Sequence, residues 1–163
     1  MRERETEGFI NSETPITRRA VPADAGALAG LSAELGYDAS TDEARRRLER
    51  IIDSPDHEVL VAVDGSGLVV GWAHVFAAPR IESAGFAELG GLVVAESHRR
   101  RGIGRLLIAA AEEVSANLGV VKLRIRSRVE REDAHRFFEN LGFENVKKQQ
   151  VYEKILKETK NRF

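Results

Sequence analysis

The chain has no cysteine among its 163 residues, which excludes disulfides, thiolate metal sites and a covalent cysteine acyl intermediate. Tryptophan occurs once and aromatic residues make up 6%, too few and too scattered for the stacking platforms that single-stranded nucleic acids require. No apolar run approaches the roughly 20 residues that span a bilayer. The first residues, Met-Arg-Glu-Arg-Glu-Thr-Glu, are charged where a secretory leader would be apolar. Formal net charge is -1 with acids and bases mixed almost throughout, so neither a long polyanion nor a membrane is expected as a partner. A cytoplasmic protein is expected. With four widely spaced histidines and no cysteine, no metal site is predicted.

A chain of this length can bury one continuous core, so a single domain is expected over residues 15–163 behind a mobile charged tail over residues 1–14. Ile16 to Ala20 reads as a short strand. Pro22 suits a first helical turn, and Leu28, Leu31 and Leu35 recur at helical spacing until Gly36. Ser40 with Glu43 makes a capping box ahead of a second helix with the stripe Ala44, Leu48, Ile51 and Ile52, which Pro55 ends. Strands follow at Val59 to Val63 and Leu68 to Phe76 around Asp64-Gly65-Ser66-Gly67, then at Gly85 to Val94.

A further helix carries Ile103, Leu106, Leu107, Ala110, Val114 and Leu118 and stops at Gly119. Lys122 to Ser127 alternates as a half-exposed strand. Glu130, Glu132 and Asp133 precede a helix with Ala134, Phe137, Phe138 and Leu141 that stops at Gly142. A last strand pair is predicted over about Asn145 to Leu156.

The most informative segment runs from Leu92-Val93-Val94 through Arg99-Arg100-Arg101-Gly102-Ile103-Gly104-Arg105 into a helix. Glycines at 102 and 104 let the backbone approach a ligand, and the first N–H groups of the helix have no carbonyl partner inside it. Four arginines and the helix dipole add positive potential, so the preferred occupant is a phosphate or pyrophosphate. A third glycine at dinucleotide-fold spacing and a Walker Lys-Ser or Lys-Thr are both missing. A solvated basic turn is the plain alternative.

This R-x-x-G-x-G turn after a Leu-Val-Val strand resembles the GCN5-related N-acetyltransferases. The late segment Arg131-Glu132-Asp133-Ala134-His135-Arg136-Phe137-Phe138-Glu139-Asn140-Leu141-Gly142-Phe143 is similar to that family's late helix and its closing Leu-Gly-Phe. The resemblance covers Ile16 to Ile155 and implies the α/β (α+β) class and the acyl-CoA N-acyltransferase fold, a central mixed, mostly antiparallel sheet flanked by helices. It also implies acetyl-CoA as cosubstrate, held by Arg99, Arg100, Arg101, Gly102, Ile103, Gly104 and Arg105 at the pyrophosphate and by the backbone of Leu92, Val93 and Val94 at the pantetheine arm. Acetyl would pass to a primary amine, of a small molecule or a peptide, in a ternary complex.

A protonated primary amine with a pKa near 10.4 is only about 0.1% neutral near pH 7.4, so transfer needs a base. Glu88, on the strand entering the turn, is similar to the catalytic glutamate of histone-type members, and it also reads as an ordinary polar strand residue. Gly90 and Gly91 fit a mid-strand bulge or a close backbone approach. His74, and Tyr37 with Asp38 after the first helix, are candidates to line the acceptor site; a hydrogen-bonded histidine and an ordinary turn are the alternatives.

Phe138 stands where many members carry a tyrosine that protonates the departing thiolate. It is expected to pack in the core or against the cosubstrate. That loss leaves a catalytically inactive acyl-CoA-binding sensor of the same fold as the alternative. Pairing through an exposed sheet edge predicts a homodimer.

Overall fold

The computed structural model describes residues 14–156, so the tail predicted over residues 1–14 falls, Thr14 apart, outside the described residues. The chain divides into two compact units, one ending at Arg126 and one beginning at Ser127. The first holds β1 (Ile16–Arg19), α1 (Ala25–Ala33), α2 (Thr41–Ile52), β2 (His57–Val63), β3 (Val69–Ala78), β4 (Phe86–Val94), α3 (Ile103–Asn117) and β5 (Leu123–Ile125). The second holds α4 (Glu132–Glu139).

The sheet runs in the order β1-β2-β3-β4-β5, antiparallel from β1 to β4, with β5 parallel to β4. Each strand sits beside its chain neighbour, except that β4 reaches β5 through the crossover helix α3, as a parallel pair requires. On one face Val59, Val61, Val63 and Trp72 pack with Leu28 and Leu48 beneath α1 and α2. On the other, α3 lies close over Gly71, where a Cβ would come 3.2 Å from Leu107 and 3.4 Å from Ile103.

Local signals place the helices. The Ser40 hydroxyl accepts from Glu43 N–H while the Glu43 carboxylate accepts from Ser40 N–H, the reciprocal box expected ahead of α2. Helix α1 follows a 3-10 turn at Pro22–Asp24, where Asp24 is buried and accepts two bonds from Arg18 and one from Val21 N–H. Buried positions on α3 are Ile103, Leu107, Ile108, Ala111 and Ser115, while Leu106, Ala110, Val114 and Leu118 of the predicted stripe are only partly buried; Ile52, at the end of α2, is exposed.

The strand pair predicted over Asn145 to Leu156 does not form. This stretch has no regular secondary structure, and Val146, Val151, Tyr152, Ile155 and Leu156 are all exposed. A strand exists through a partner edge and one buried face, and this lysine- and glutamine-rich segment has neither. In the second unit Phe138 meets Phe137 and Phe143 edge to face, with centroids 5.3 and 5.6 Å apart. His135 bonds the Arg128 carbonyl at 2.9 Å.

Candidate active site

Strand β4 is irregular at its centre. Leu89 pairs with Val75 and Gly91 with His74, which leaves Gly90 without a partner on β3. The extra residue is a bulge, and it exchanges the faces. Before it, Phe86 and Glu88 share a face with Phe76; after it, Gly91 and Val93 share that face with His74 and Trp72. A Cβ at Gly90 would lie 2.9 Å from Phe76 and 3.4 Å from His74 Nδ1, and one at Gly91 only 2.6 Å from the Trp72 ring. Both glycines are therefore set by close approach.

The outer edge of β4 is open past the bulge. Strand β5 pairs with Ala87, Glu88 and Leu89, and no strand among the described residues pairs with that edge beyond them. Ala95 N–H donates to Val70 O on β3, so by alternation Val93 turns its backbone groups inward while Leu92 and Val94 turn theirs to the open edge. Val94 O accepts there from Arg99 Nε at 3.2 Å.

At the end of β4 the turn adopts left-handed backbone at Arg100 (φ 65°) and Gly102 (φ 82°). Leu106 N–H makes the first bond of α3, to Gly102 O at 3.0 Å, so Ile103, Gly104 and Arg105 carry N–H groups with no partner inside the helix. Arg100, Arg101 and Arg105 are exposed, and among the described residues no carboxylate pairs with them. Arg99 differs. Its side chain folds back onto Val94 O and lies 3.5 Å from Glu34, whose carboxylate also accepts from Glu96 N–H. Arg99 thus braces the turn, while the side chain of Ile103 is buried and leaves only its N–H for a ligand.

Glu88 is 8% exposed, and its Oε2 lies 3.1 Å from Arg126. The guanidinium of Arg124 sits 3.8 Å over the neighbouring Phe86 ring, and that of Arg80 at 5.1 Å. Burial with a cationic partner holds this carboxylate on the strand that enters the cradle. His74, beside the bulge, bonds through Nε2 to His57 Nδ1 at 3.0 Å. Burial, then repulsion from His57, pushes the His74 pKa down to about 4, so its ring is neutral near pH 7.

The structure thus brings Glu88, His74, Leu92, Val94 and the glycine turn onto one strand pair and its exit. Tyr37 and Asp38 lie exposed in the α1–α2 connection. Phe138 belongs to the second unit. Among the described residues no group of three metal-ligating side chains occurs. His57, Arg126 and Glu34 were missed by the sequence reading. His57 had a signal: hairpin pairing across the Asp64 to Gly67 turn puts it diagonally opposite His74.

The acetyltransferase (GNAT) family model matches residues 28–143, across both units. An aminoglycoside N(6')-acetyltransferase type 1 of Stenotrophomonas maltophilia is 31% identical over 141 residues, covering 84% of this chain and 91% of that protein. In fold, the chain is similar to an aminoglycoside 6'-N-acetyltransferase of Acinetobacter baumannii, with a TM-score of 0.78 at 15% identity over 88% of this chain and 99% of the other. It is also similar to glucosamine-6-phosphate N-acetyltransferase of Arabidopsis thaliana, with a TM-score of 0.74 at 21% identity over 86% and 99%. A bulged strand that opens into a glycine turn is thus found in a chain whose sequence matches that family over most of its length, and this protein belongs to the GNAT acetyltransferases.

Proposed function

We propose that the protein moves acetyl from acetyl-CoA directly to a primary amine of an aminoglycoside-like amino sugar within a ternary complex. The observation that carries the reading is the continuity of the open β4 edge with the cradle at the start of α3. The residues present fit the cosubstrate: left-handed backbone at Arg100 and Gly102, free N–H groups at Ile103, Gly104 and Arg105, and outward backbone groups at Leu92 and at the Val94 N–H, the Val94 carbonyl being taken by Arg99. The name of the Stenotrophomonas relative favours an amino-sugar acceptor over a peptide.

Acetyl-CoA, when bound, supplies an activated acyl thioester. Arg100, Arg101, Arg105 and the first N–H groups of α3 hold its pyrophosphate. The outward groups of Leu92 and Val94 accept the pantetheine amides as a sheet edge accepts a strand, and an outward N–H stabilises charge developing on the carbonyl oxygen. Glu88 takes the amine proton, through water. A thiolate leaving group, with a pKa near 8.5 on the cysteine scale, departs without a strong acid, so Phe138 does not prevent turnover.

The test is thiol release from acetyl-CoA against a panel of aminoglycosides, polyamines and peptide amines, run beside calorimetry of acetyl-CoA binding. Turnover with an amino sugar supports the reading. Binding without thiol release across the panel sinks it and leaves the sensor alternative.

A further inference from the structure

His57 and His74 form a hydrogen-bonded pair at the bulge that the reading above does not use. His74 Nε2 meets His57 Nδ1 at 3.0 Å, which leaves His74 Nδ1 on the side of Gly90, where a Cβ would sit 3.4 Å from it. The absent side chain at Gly90 is what keeps that nitrogen uncovered. The rings lie 5.2 Å apart and 23° from parallel, and Phe76 stacks on His57 at 5.1 Å and leans on His74 at 5.3 Å. Three rings held this way have little freedom to turn. His57 also lines an open cleft of about 320 Å³ with Arg19, Asp53 and Glu58. The pair thus connects the bulge, at His74, with a residue of the cleft lining, His57.

We propose that the His74–His57 pair relays a proton from the acceptor amine at the bulge to the cleft beside α2, an inference that rests on the amine-transfer reading. Once Glu88 has taken the first proton from the ammonium, the attacking nitrogen gives its second to His74 Nδ1 as the C–N bond forms. His74 Nε2 passes its own proton to His57 Nδ1, and His57 Nε2 releases one to water in the cleft. Each ring gains one proton and loses one, so neither becomes an imidazolium. Passage in the reverse direction returns a proton to the bulge and restores the starting tautomers. The charged groups around the pair are Glu88 from β4, whose register partner is Phe76, Asp53 at the end of α2, and Glu58 of β2, which is paired with Arg19 of β1 at 3.0 Å.

The experiment compares wild type with His57→Gln and His57→Phe in steady-state thiol release from pH 6 to about 10 with an acceptor amine. The relay predicts that kcat falls about 10- to 100-fold in both variants near pH 7. Acetyl-CoA affinity should stay within about two-fold, the deficit should shrink as pH rises, and imidazole in the buffer should restore part of the rate. His57→Phe keeps the stacking on Phe76 and removes the transferable proton. Full activity in His57→Phe, or a deficit that is independent of pH and of imidazole, overturns the relay.

Nitrogen-15 NMR of labelled histidines gives a readout apart from activity. The expected result is a coupling across the His57 Nδ1 to His74 Nε2 bond, with His74 neutral down to about pH 5. A His74 that titrates as a free imidazole without that coupling overturns the geometry. A wild type inactive on every amine defeats the functional reading and the relay together, whereas an active wild type matched by His57→Phe defeats the relay alone.

Discussion

Gly90 and Gly91 show how two missing side chains do different work in adjacent positions. At Gly90 the space is taken by Phe76 and His74, and at Gly91 by the Trp72 ring, so the strand can bend and change face. Glu88 stands two residues ahead of that bend, buried and tied to Arg126. Exchange to Gln keeps the shape and removes the proton acceptor. Glu88→Gln is expected to lower kcat about 100-fold near neutral pH while leaving acetyl-CoA affinity nearly unchanged. The deficit should narrow as pH rises and more of the amine is neutral. Steady-state rates against pH with calorimetry at one pH check this, and wild-type turnover at neutral pH would remove Glu88 from the mechanism.

At the scale of elements, two junctions hold the machinery. Where β1 passes to α1, Asp24 accepts from both terminal nitrogens of Arg18 at 2.7 and 2.8 Å and from Val21 N–H at 2.8 Å. The Arg18 hydrogen bonds lower the Asp24 pKa most; burial opposes them, and the Val21 bond and the Arg18 charge add to the lowering. A carboxylate depressed on folding stabilises the native state above its unfolded pKa of about 3.9, and that stabilisation fades as pH falls through the lower folded value. Asp24→Asn should therefore cost about 1–3 kcal/mol near pH 7, with the gap to wild type closing in acid below about pH 4. Urea midpoints at both pH values measure it.

The second junction is the start of α3, where Gly104 occupies the first turn with its N–H unpaired inside the helix. A β-branched side chain there fills the space a pyrophosphate would need. Gly104→Val should weaken acetyl-CoA binding by about ten-fold or more, since several charge-assisted bonds are lost together. Melting temperature should move little, because valine is no worse a helix former than glycine. Unchanged affinity in a folded Gly104→Val protein would move the cosubstrate elsewhere.

For the whole molecule, a ligand that binds the native state stabilises it by mass action. Acetyl-CoA at about one hundred times its dissociation constant should add about 2.7 kcal/mol, or roughly 5–10 °C in melting temperature for a chain of this size. A true acceptor amine added on top of CoA should raise it further, so a thermal-shift screen ranks acceptors before any rate is measured. No helix among the described residues is long and apolar enough to cross a membrane.

The α2 capping box, the stops at Gly119 and Gly142 and the glycine turn after Leu92-Val93-Val94 could be read directly from the chain. Each depends on residues within a few positions of one another, where side-chain oxygens, dihedral preferences and unpaired N–H groups act locally. The strands of the β2–β3 hairpin were legible for the same reason. Partnership across the sheet was not. That Arg99 turns back to Glu34, that Arg126 meets Glu88 and that His57 reaches His74 depends on residues 65, 38 and 17 positions apart respectively. The predicted bulge needed β3 to show that Gly90 is the unpaired residue, and the expected last strand pair failed for want of a partner edge. Local order is written in short-range chemistry. The site is assembled by register and crossover, which only the packed sheet decides.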